Sequence, residues 1–403
     1  MIIQDVRSQF PALTQKVHGH DLVYFDSAAT TLKPQSVVDR ISHFYAYESA
    51  NVHRGAHFLS DIATVNFEEA RKKVANFIQC DLDEVVFTKG TTESMNIVAA
   101  SFGETVVGPG DEVLISELEH HGNIIPWQVL CEKTGAKLQV VPLNDLGEIE
   151  ISAFQKKLTS QTKIVSISGC SNVLGTIPDL KPMIDAAHAV GAVVVVDAAQ
   201  LVSQEKIKFK ELGIDFLAFS GHKIFGPTGI GVLAAKKEHL ARMKPYQTGG
   251  SMIKEVTFTK TTYQDGPLKF EAGTPHIAGV IGLGAAIDFF QQMPIHEIQA
   301  HEQGLRIRLE KDLKANSAIR LFGQSAKKGA IVSFAVKGIH HTDLAAILDQ
   351  QGIAVRAGHL CAQPLLARYN TTGFLRVSLS VYNQLEEIER FHTALEKAIH
   401  LLG

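Results

Sequence analysis

Lys223 closes the segment Ser220-Gly221-His222-Lys223, directly after the apolar run Asp215 to Phe219, and Gly226-Pro227-Thr228-Gly229 follows it. A lysine at a strand end among glycines can be stripped of water. That lowers its pKa and leaves a free amine able to form a Schiff base, whereas a solvated lysine stays protonated at neutral pH. Asp197 ends a second apolar run, Ala192 to Val196, 26 residues before Lys223. Taken singly, Lys223 reads as an ordinary surface lysine and Asp197 as a helix N-cap after a strand. As a pair they have the logic of a site for pyridoxal phosphate, which needs a Schiff-base lysine and an acid facing the pyridinium nitrogen.

Other segments extend this chemistry. In Gly90-Thr91-Thr92-Glu93-Ser94, Gly90 permits close backbone approach, and the helix opened by Thr91 offers N–H groups and hydroxyls to an anion such as a phosphate. The same residues also read as a capped helix with Glu93 at its third position. His120 and His121 stand in a loop before Asn123 and Trp127, where an imidazole can stack on a planar ring, move protons or simply make a structural hydrogen bond. The segment Arg356-Ala357-Gly358-His359-Leu360-Cys361-Ala362-Gln363-Pro364 places a thiol near an arginine and a histidine, neighbours that favour the nucleophilic thiolate. Arg376 is a candidate for bidentate capture of a carboxylate, and Arg356 could serve the same end. Cys80, Cys131 and Cys170 are expected to be buried small hydrophobes.

Two tempting motifs fail on geometry. His296-Glu297 and His301 are spaced i, i+5, which takes the second histidine off the face that H-E-x-x-H requires. With no C-x-x-C pair and no Cys/His cluster at zinc spacing, no metal site is expected. Gly229, Gly231 and Ala234 match G-x-G-x-x-A but run into a strand instead of opening a helix, so NAD is not indicated.

The elements that must position these residues follow from periodicity. Seven short apolar runs read as strands: Glu84 to Thr88, Glu112 to Ser116, Lys137 to Val141, Lys163 to Ser168, Ala192 to Asp197, Asp215 to Ser220 and Gly229 to Ala234. Helices such as Thr91 to Phe102 and Leu180 to Val190 lie between them, the rhythm of an α/β domain with a parallel sheet. Ligands bind at the carboxyl ends of such strands, which is where the residues above fall. Tyr246 to Pro275 shows no sustained period and reads as a long surface excursion. A helical stretch from Ala278 to Ala315 then leads into alternating strands and helices, among them the strands Ala330 to Val336 and Leu375 to Ser380, indicating a smaller α+β domain. The expected division is 21–275 for the large domain, with 1–20 and 276–403 forming the small one.

Composition narrows the partners. The 403 residues carry 39 Lys and Arg against 42 Asp and Glu, so no global positive excess exists to hold a nucleic acid. No apolar stretch approaches a membrane span, the N-terminus has no export signal, and the scattered cysteines fit a reduced, cytoplasmic setting.

Taken together, Tyr24-Phe25-Asp26-Ser27-Ala28-Ala29-Thr30, Asn51-Val52-His53-Arg54, Gly90-Thr91-Thr92-Glu93, Glu119-His120-His121-Gly122-Asn123, Asp197-Ala198-Ala199-Gln200, Ser220-Gly221-His222-Lys223, Glu271-Ala272-Gly273-Thr274-Pro275 and the cysteine loop resemble the group II cysteine desulfurases. That family includes the selenocysteine lyases and belongs to fold type I of the pyridoxal phosphate enzymes. The resemblance implies a large domain built on a mostly parallel seven-stranded sheet, a smaller domain carrying the cysteine loop, and a homodimer. It implies that Lys223 holds pyridoxal 5′-phosphate covalently, Asp197 pairs with its ring nitrogen, Gln200 bonds its ring hydroxyl, and His120 stacks on the ring. Thr91, Thr92, Ser220 and His222 would hold the phosphate, with Thr274 reaching it across a dimer interface. Arg376, helped by Asn172 and Arg356, would bind the carboxylate of L-cysteine or L-selenocysteine. Lys223 would remove the Cα proton, Cys361 would attack the substrate sulfur, and His120 would supply a proton. The persulfide would pass to a small sulfur-acceptor protein, supplying iron-sulfur cluster assembly or related pathways. Many relatives have His just before the cysteine; here Leu360 stands there and His359 one position earlier. An aminotransferase on the same scaffold would have no use for Cys361, and a non-catalytic binding protein would have no use for Lys223.

Overall fold

Five of the seven strands of the central sheet run parallel in sequence-local βα units, and the computed structural model, which describes residues 3–403, closes them with two further strands at one edge. The strands are β1 (Val85–Thr88), β2 (Glu112–Ser116), β3 (Lys137–Val141), β4 (Thr162–Ser168), β5 (Val193–Asp197), β6 (Phe216–Ser220) and β7 (Gly231–Ala235). Their order across the sheet is β1-β7-β6-β5-β4-β2-β3, with β7 antiparallel to both neighbours. Apart from the edge strand β3, the runs are apolar at nearly every position because both faces are covered. Leu114, Val165, Val194 and Leu217 pack toward the helices Phe58–Ile78, Leu180–Ala189 and Ile277–Gln291. Val113, Ile164, Val195 and Phe216 face the opposite layer, where Met95 and the fully buried Trp127 sit.

Several expected elements change shape. The α-helix expected over Thr91 to Phe102 is α-helical from Thr91 to Ile97 and then widens into a π-turn over Val98–Gly103. The long helical stretch is two helices, Ile277–Gln291 and Ile295–Lys314, broken where Pro294 lacks an N–H and disfavours the α conformation at Met293. The first of these shares the large sheet's core with Phe67, Ala70 and Val74, so that core extends past the boundary expected at 275/276. The excursion 246–275 contains an antiparallel hairpin, Ile253–Val256 with Thr261–Tyr263.

A second sheet is wholly antiparallel. Its strands are β8 (Ile319–Phe322), β9 (Ile331–Val336), β10 (Arg356–Gly358) and β11 (Phe374–Ser378), in the order β8-β9-β11-β10. It packs with the helices His341–Gln350 and Leu385–Leu402 around Phe334, Leu375 and Phe391. The N-terminal segment joins this unit: Val23–Tyr24 pairs in parallel with Ile353–Ala354, and Asp26 bridges to Ser378. Among the described residues no helix is long and apolar enough to cross a membrane.

Candidate active site

The registers of the large sheet bring its polar strand ends into line. Gly231 of β7 pairs with both Thr88 and Ser220, Asp197 pairs with Ala218 on β6, and Ser168 pairs with Asp197. These ends open on a cavity of about 510 Å³. Thr91, Thr92, His120, Asn172, Asp197, Gln200, Ser220, His222, Lys223, Arg356, Cys361 and Arg376 all line it, so twelve of the residues singled out in the sequence converge on one space. Thr274 does not line it and is solvent-exposed.

At the cavity floor, burial pulls the Lys223 amine from its ordinary 10.5 down to about 8, with Asp197 opposing the shift and Arg376 adding to it. Burial likewise raises the Asp197 carboxyl, against a hydrogen bond from the Ala199 N–H to Oδ1 at 2.9 Å. His120 is pushed down to about 4, first by burial and then by the charge of Lys223. Its Nδ1 accepts from the Gly122 N–H at 2.9 Å, so the proton of the neutral ring sits on Nε2. Gln200 reaches the cavity while its Nε2 donates to the Ala28 carbonyl at 2.7 Å.

At one end, the Thr91 N–H donates to Ser220 Oγ at 2.9 Å and the two hydroxyls lie 2.8 Å apart. His222 Nδ1 is buried there without a partner. The Gly90 turn is packed directly on β7: a Cβ on Gly231 would stand 2.4 Å from the Gly90 Cα.

At the other end, Arg376 and Arg356 face each other directly across β11 and β10, a costly pairing of like charges. Asp26, which sequence reasoning left without a role, resolves it. Its carboxylate takes Arg356 Nε at 3.0 Å and Nη2 at 2.7 Å, and Arg376 Nη2 at 3.1 Å. Arg376 is 2% exposed, and its Nε remains buried without a partner. Asn172 shares this corner: its carbonyl accepts from Arg376 Nη1 at 2.8 Å, and its Nδ2 donates to the Leu360 carbonyl at 2.8 Å.

Cys361 is the exposed cysteine among the four. Leu360 and Cys361 both take left-handed backbone, at φ 52° and 55°, which costs about 1–2 kcal/mol for each. The Leu360 side chain is 7% exposed, packed with Leu118, Val173 and Phe374. Burying a leucine returns about 2 kcal/mol; the remainder must come from hydrogen bonds, including the one from Asn172, at about 1 kcal/mol apiece. Leu360 is therefore an apolar anchor of the loop. Cys170, expected as a buried bystander, does line the cavity, but burial lifts its thiol to about 12 and keeps it protonated. Cys80 and Cys131 are raised by burial too, to about 12 and about 11.

Behind His120, sequence reasoning also left unread a buried polar network. Glu119 accepts from Ser116 Oγ at 2.5 Å, Ser168 Oγ at 2.6 Å and Asn123 Nδ2 at 2.6 Å. Burial still lifts its carboxyl to about 7. The only sequence signal was its place in the quoted motif.

The class-V aminotransferase family matches residues 23–391. The chain belongs to that family. It is 46% identical over 398 residues to a probable cysteine desulfurase of Vibrio cholerae, covering 98% of each chain, and 46% identical over 404 residues to a cysteine desulfurase of Dickeya dadantii, covering 100% of this chain and 98% of the other. Among solved structures it is similar to the cysteine desulfurase CsdA of Escherichia coli, in its S-sulfonic acid form, with a TM-score of 0.93 and 39% identity over the whole of both chains. The apo cysteine desulfurase of Thermococcus onnurineus gives a TM-score of 0.95 and 40% identity, covering 100% of this chain and 99% of that one. Within the family this is a group II cysteine desulfurase of fold type I, and its cofactor is pyridoxal 5′-phosphate.

The residues present fit that cofactor. An amine on a buried lysine, a buried carboxylate on the neighbouring strand, paired hydroxyls at the Gly90 turn and an unpartnered buried imidazole nitrogen together match an aldehyde, a ring nitrogen and a phosphate.

Proposed function

We propose that the protein removes sulfur from L-cysteine, releasing L-alanine and leaving the sulfur on Cys361 as a persulfide. The observation that carries this reading is that the one exposed cysteine lines the same cavity as Lys223, Asp197 and Arg376. Pyridoxal 5′-phosphate, when bound, supplies an aldehyde for covalent capture of amines and a conjugated ring that takes up the electrons of the broken Cα–H bond.

The chain's own residues do the rest. Arg376, oriented by Asp26 and the Asn172 carbonyl, binds the substrate carboxylate and so fixes which Cα bond faces Lys223. Asp197 would stabilise a protonated ring nitrogen, Gln200 would meet the ring hydroxyl, and Thr91, Thr92, Ser220 and His222 would hold the phosphate. Lys223, which would hold the cofactor covalently, takes the Cα proton on Nζ as a free amine, for which a pKa of about 8 leaves a useful fraction near neutrality. His120 would lie over the ring face, and it holds a proton on Nε2, where it can be passed to substrate. The Cys361 thiolate attacks the substrate sulfur; the sulfur–sulfur bond forms as the carbon–sulfur bond breaks, so cysteine and enzyme thiol become alanine and enzyme persulfide, with atoms balanced. A thiol on a small acceptor protein then takes the outer sulfur and regenerates Cys361, feeding iron-sulfur cluster assembly or a related pathway in the cytoplasm. L-selenocysteine is accepted by the same contacts. Thr274, exposed and outside its own cavity, is assigned to the phosphate site of a second copy in a homodimer.

The test is alanine release from L-cysteine and a thiol reductant by the cofactor-loaded protein, alongside Cys361→Ser and Lys223→Ala. The wild type should release alanine, Cys361→Ser should keep the visible cofactor band but lose turnover, and Lys223→Ala should lose both. Full alanine release by Cys361→Ser would refute the persulfide route.

A further inference from the structure

The backbone just after the Cys361 Cα is held at two points by a single residue of another element. The His121 N–H donates to the Cys361 carbonyl at 2.8 Å, and His121 Nε2 accepts from the N–H of Gln363 at 3.1 Å. A backbone N–H can only donate, so Nε2 presents a lone pair and the ring proton sits on Nδ1. Both contacts fall immediately after the left-handed stretch at Leu360 and Cys361, a conformation that residues with side chains keep only where their surroundings over-determine it. The His359 Nδ1 contact to the Cys361 N–H, at 3.3 Å, is internal to the loop and cannot hold it against the rest of the fold. His121 can, because its neighbour His120 stands on the cavity wall with Nδ1 fixed by Gly122. Adjacent residues thus set the ring in the cofactor cavity and the loop that carries the thiol.

We infer that His121 is a positioning residue, which fixes the approach of Cys361 to the substrate sulfur relative to the ring face kept by His120. The inference rests on the reading of Cys361 as sulfur acceptor. It is tested in the cofactor-loaded enzyme with His121→Ala and His121→Gln, the latter retaining an acceptor of similar reach. Two quantities are read: hydrogen exchange of the Gln363 amide, and the split between kcat and KM for L-cysteine.

In His121→Ala the amide should exchange at least about tenfold faster, and kcat should fall about tenfold with KM held within about twofold, because sub-ångström misplacement of a reacting group acts on the chemical step and Arg376 still binds substrate. His121→Gln should recover most of both. Unchanged exchange or unchanged kcat in His121→Ala overturns the inference. If His121→Ala loses the visible cofactor band, His121→Gln is compared with the shorter His121→Asn, and equal kcat in those two overturns it as well. Cys361→Ser is run in parallel: should it keep full alanine release, the sulfur-acceptor reading has failed, and the exchange arm alone decides whether His121 holds the loop.

Discussion

Lys223 should capture pyridoxal phosphate with a pH dependence that reports its desolvation. Burial, the largest influence, brings the amine to about 8 from an ordinary 10.5. At pH 7 about 9% of such an amine is neutral, against about 0.03% for an ordinary lysine, a roughly 300-fold gain in the reactive form. The assay uses apoprotein, a fixed low concentration of pyridoxal phosphate, and stopped-flow recording of the visible band. The protonated amine is unreactive, so the capture rate should climb about tenfold per pH unit up to about pH 8 and then level off. Asp197→Asn sharpens the test. Asp197 favours the charged lysine, so removing its charge should move the break to lower pH, while removal of Arg376, which disfavours it, should move the break up. A rate that keeps rising tenfold per unit through pH 10 would show a solvated lysine and refute the reasoning. Lys33 is also pulled to about 8 by burial, but it does not line the cavity, so following the cofactor band keeps its titration out of the record.

Two further substitutions probe the ends of the cavity. Asp26→Asn leaves Arg376, 2% exposed, without its carboxylate partner, which should cost about 3 kcal/mol in denaturant unfolding and raise KM for L-cysteine; unchanged stability and KM would mean that the Asn172 carbonyl suffices. Gly231→Ala drives a Cβ to 2.4 Å from the Gly90 Cα and 2.8 Å from the Phe219 carbonyl, backbone that cannot swing aside. By displacing the Gly90 turn it should cost about 1–3 kcal/mol and loosen retention of pyridoxal phosphate on equilibrium dialysis, and a variant holding cofactor as tightly as wild type would remove the turn from the account.

The inner strands were legible because a sheet covered on both faces writes itself as apolar runs: Val193–Asp197 and Phe216–Ser220 end where the sequence places them. The site was legible for the same reason, since polar residues at the carboxyl ends of parallel strands must share one edge. What escaped depends on partners far along the chain. Asp26 meets Arg356 and Arg376 across 330 and 350 residues, and Glu119 is satisfied by Ser168, 49 residues on. Nothing in the local pattern of either acid separates it from a solvated carboxylate. Leu360 looked like a chemical departure in a reactive loop; only the position of Leu118, Val173 and Phe374 shows it to be an anchor.

The segment 24–33 ties the two halves of the chemistry together. Val23–Tyr24 is a strand of the small unit, and Asp26 sets both arginines at the carboxylate end. A few residues on, the Ala28 carbonyl accepts from Gln200 at 2.7 Å. The His222 carbonyl, one peptide before Lys223, accepts from the Thr31 N–H at 3.0 Å, the Thr30 and Thr31 hydroxyls at 3.2 Å and 3.0 Å, and Lys33 Nζ at 3.1 Å. One stretch of ten residues therefore sets the distance between the guanidinium proposed to fix substrate and the turn that presents the Lys223 amine. A fold that supplied lysine and arginine from separate units without such a strap would leave their spacing to a mobile interface. The strap makes that spacing a property of local backbone geometry, which is what a reaction sensitive to sub-ångström placement of the Cα proton requires.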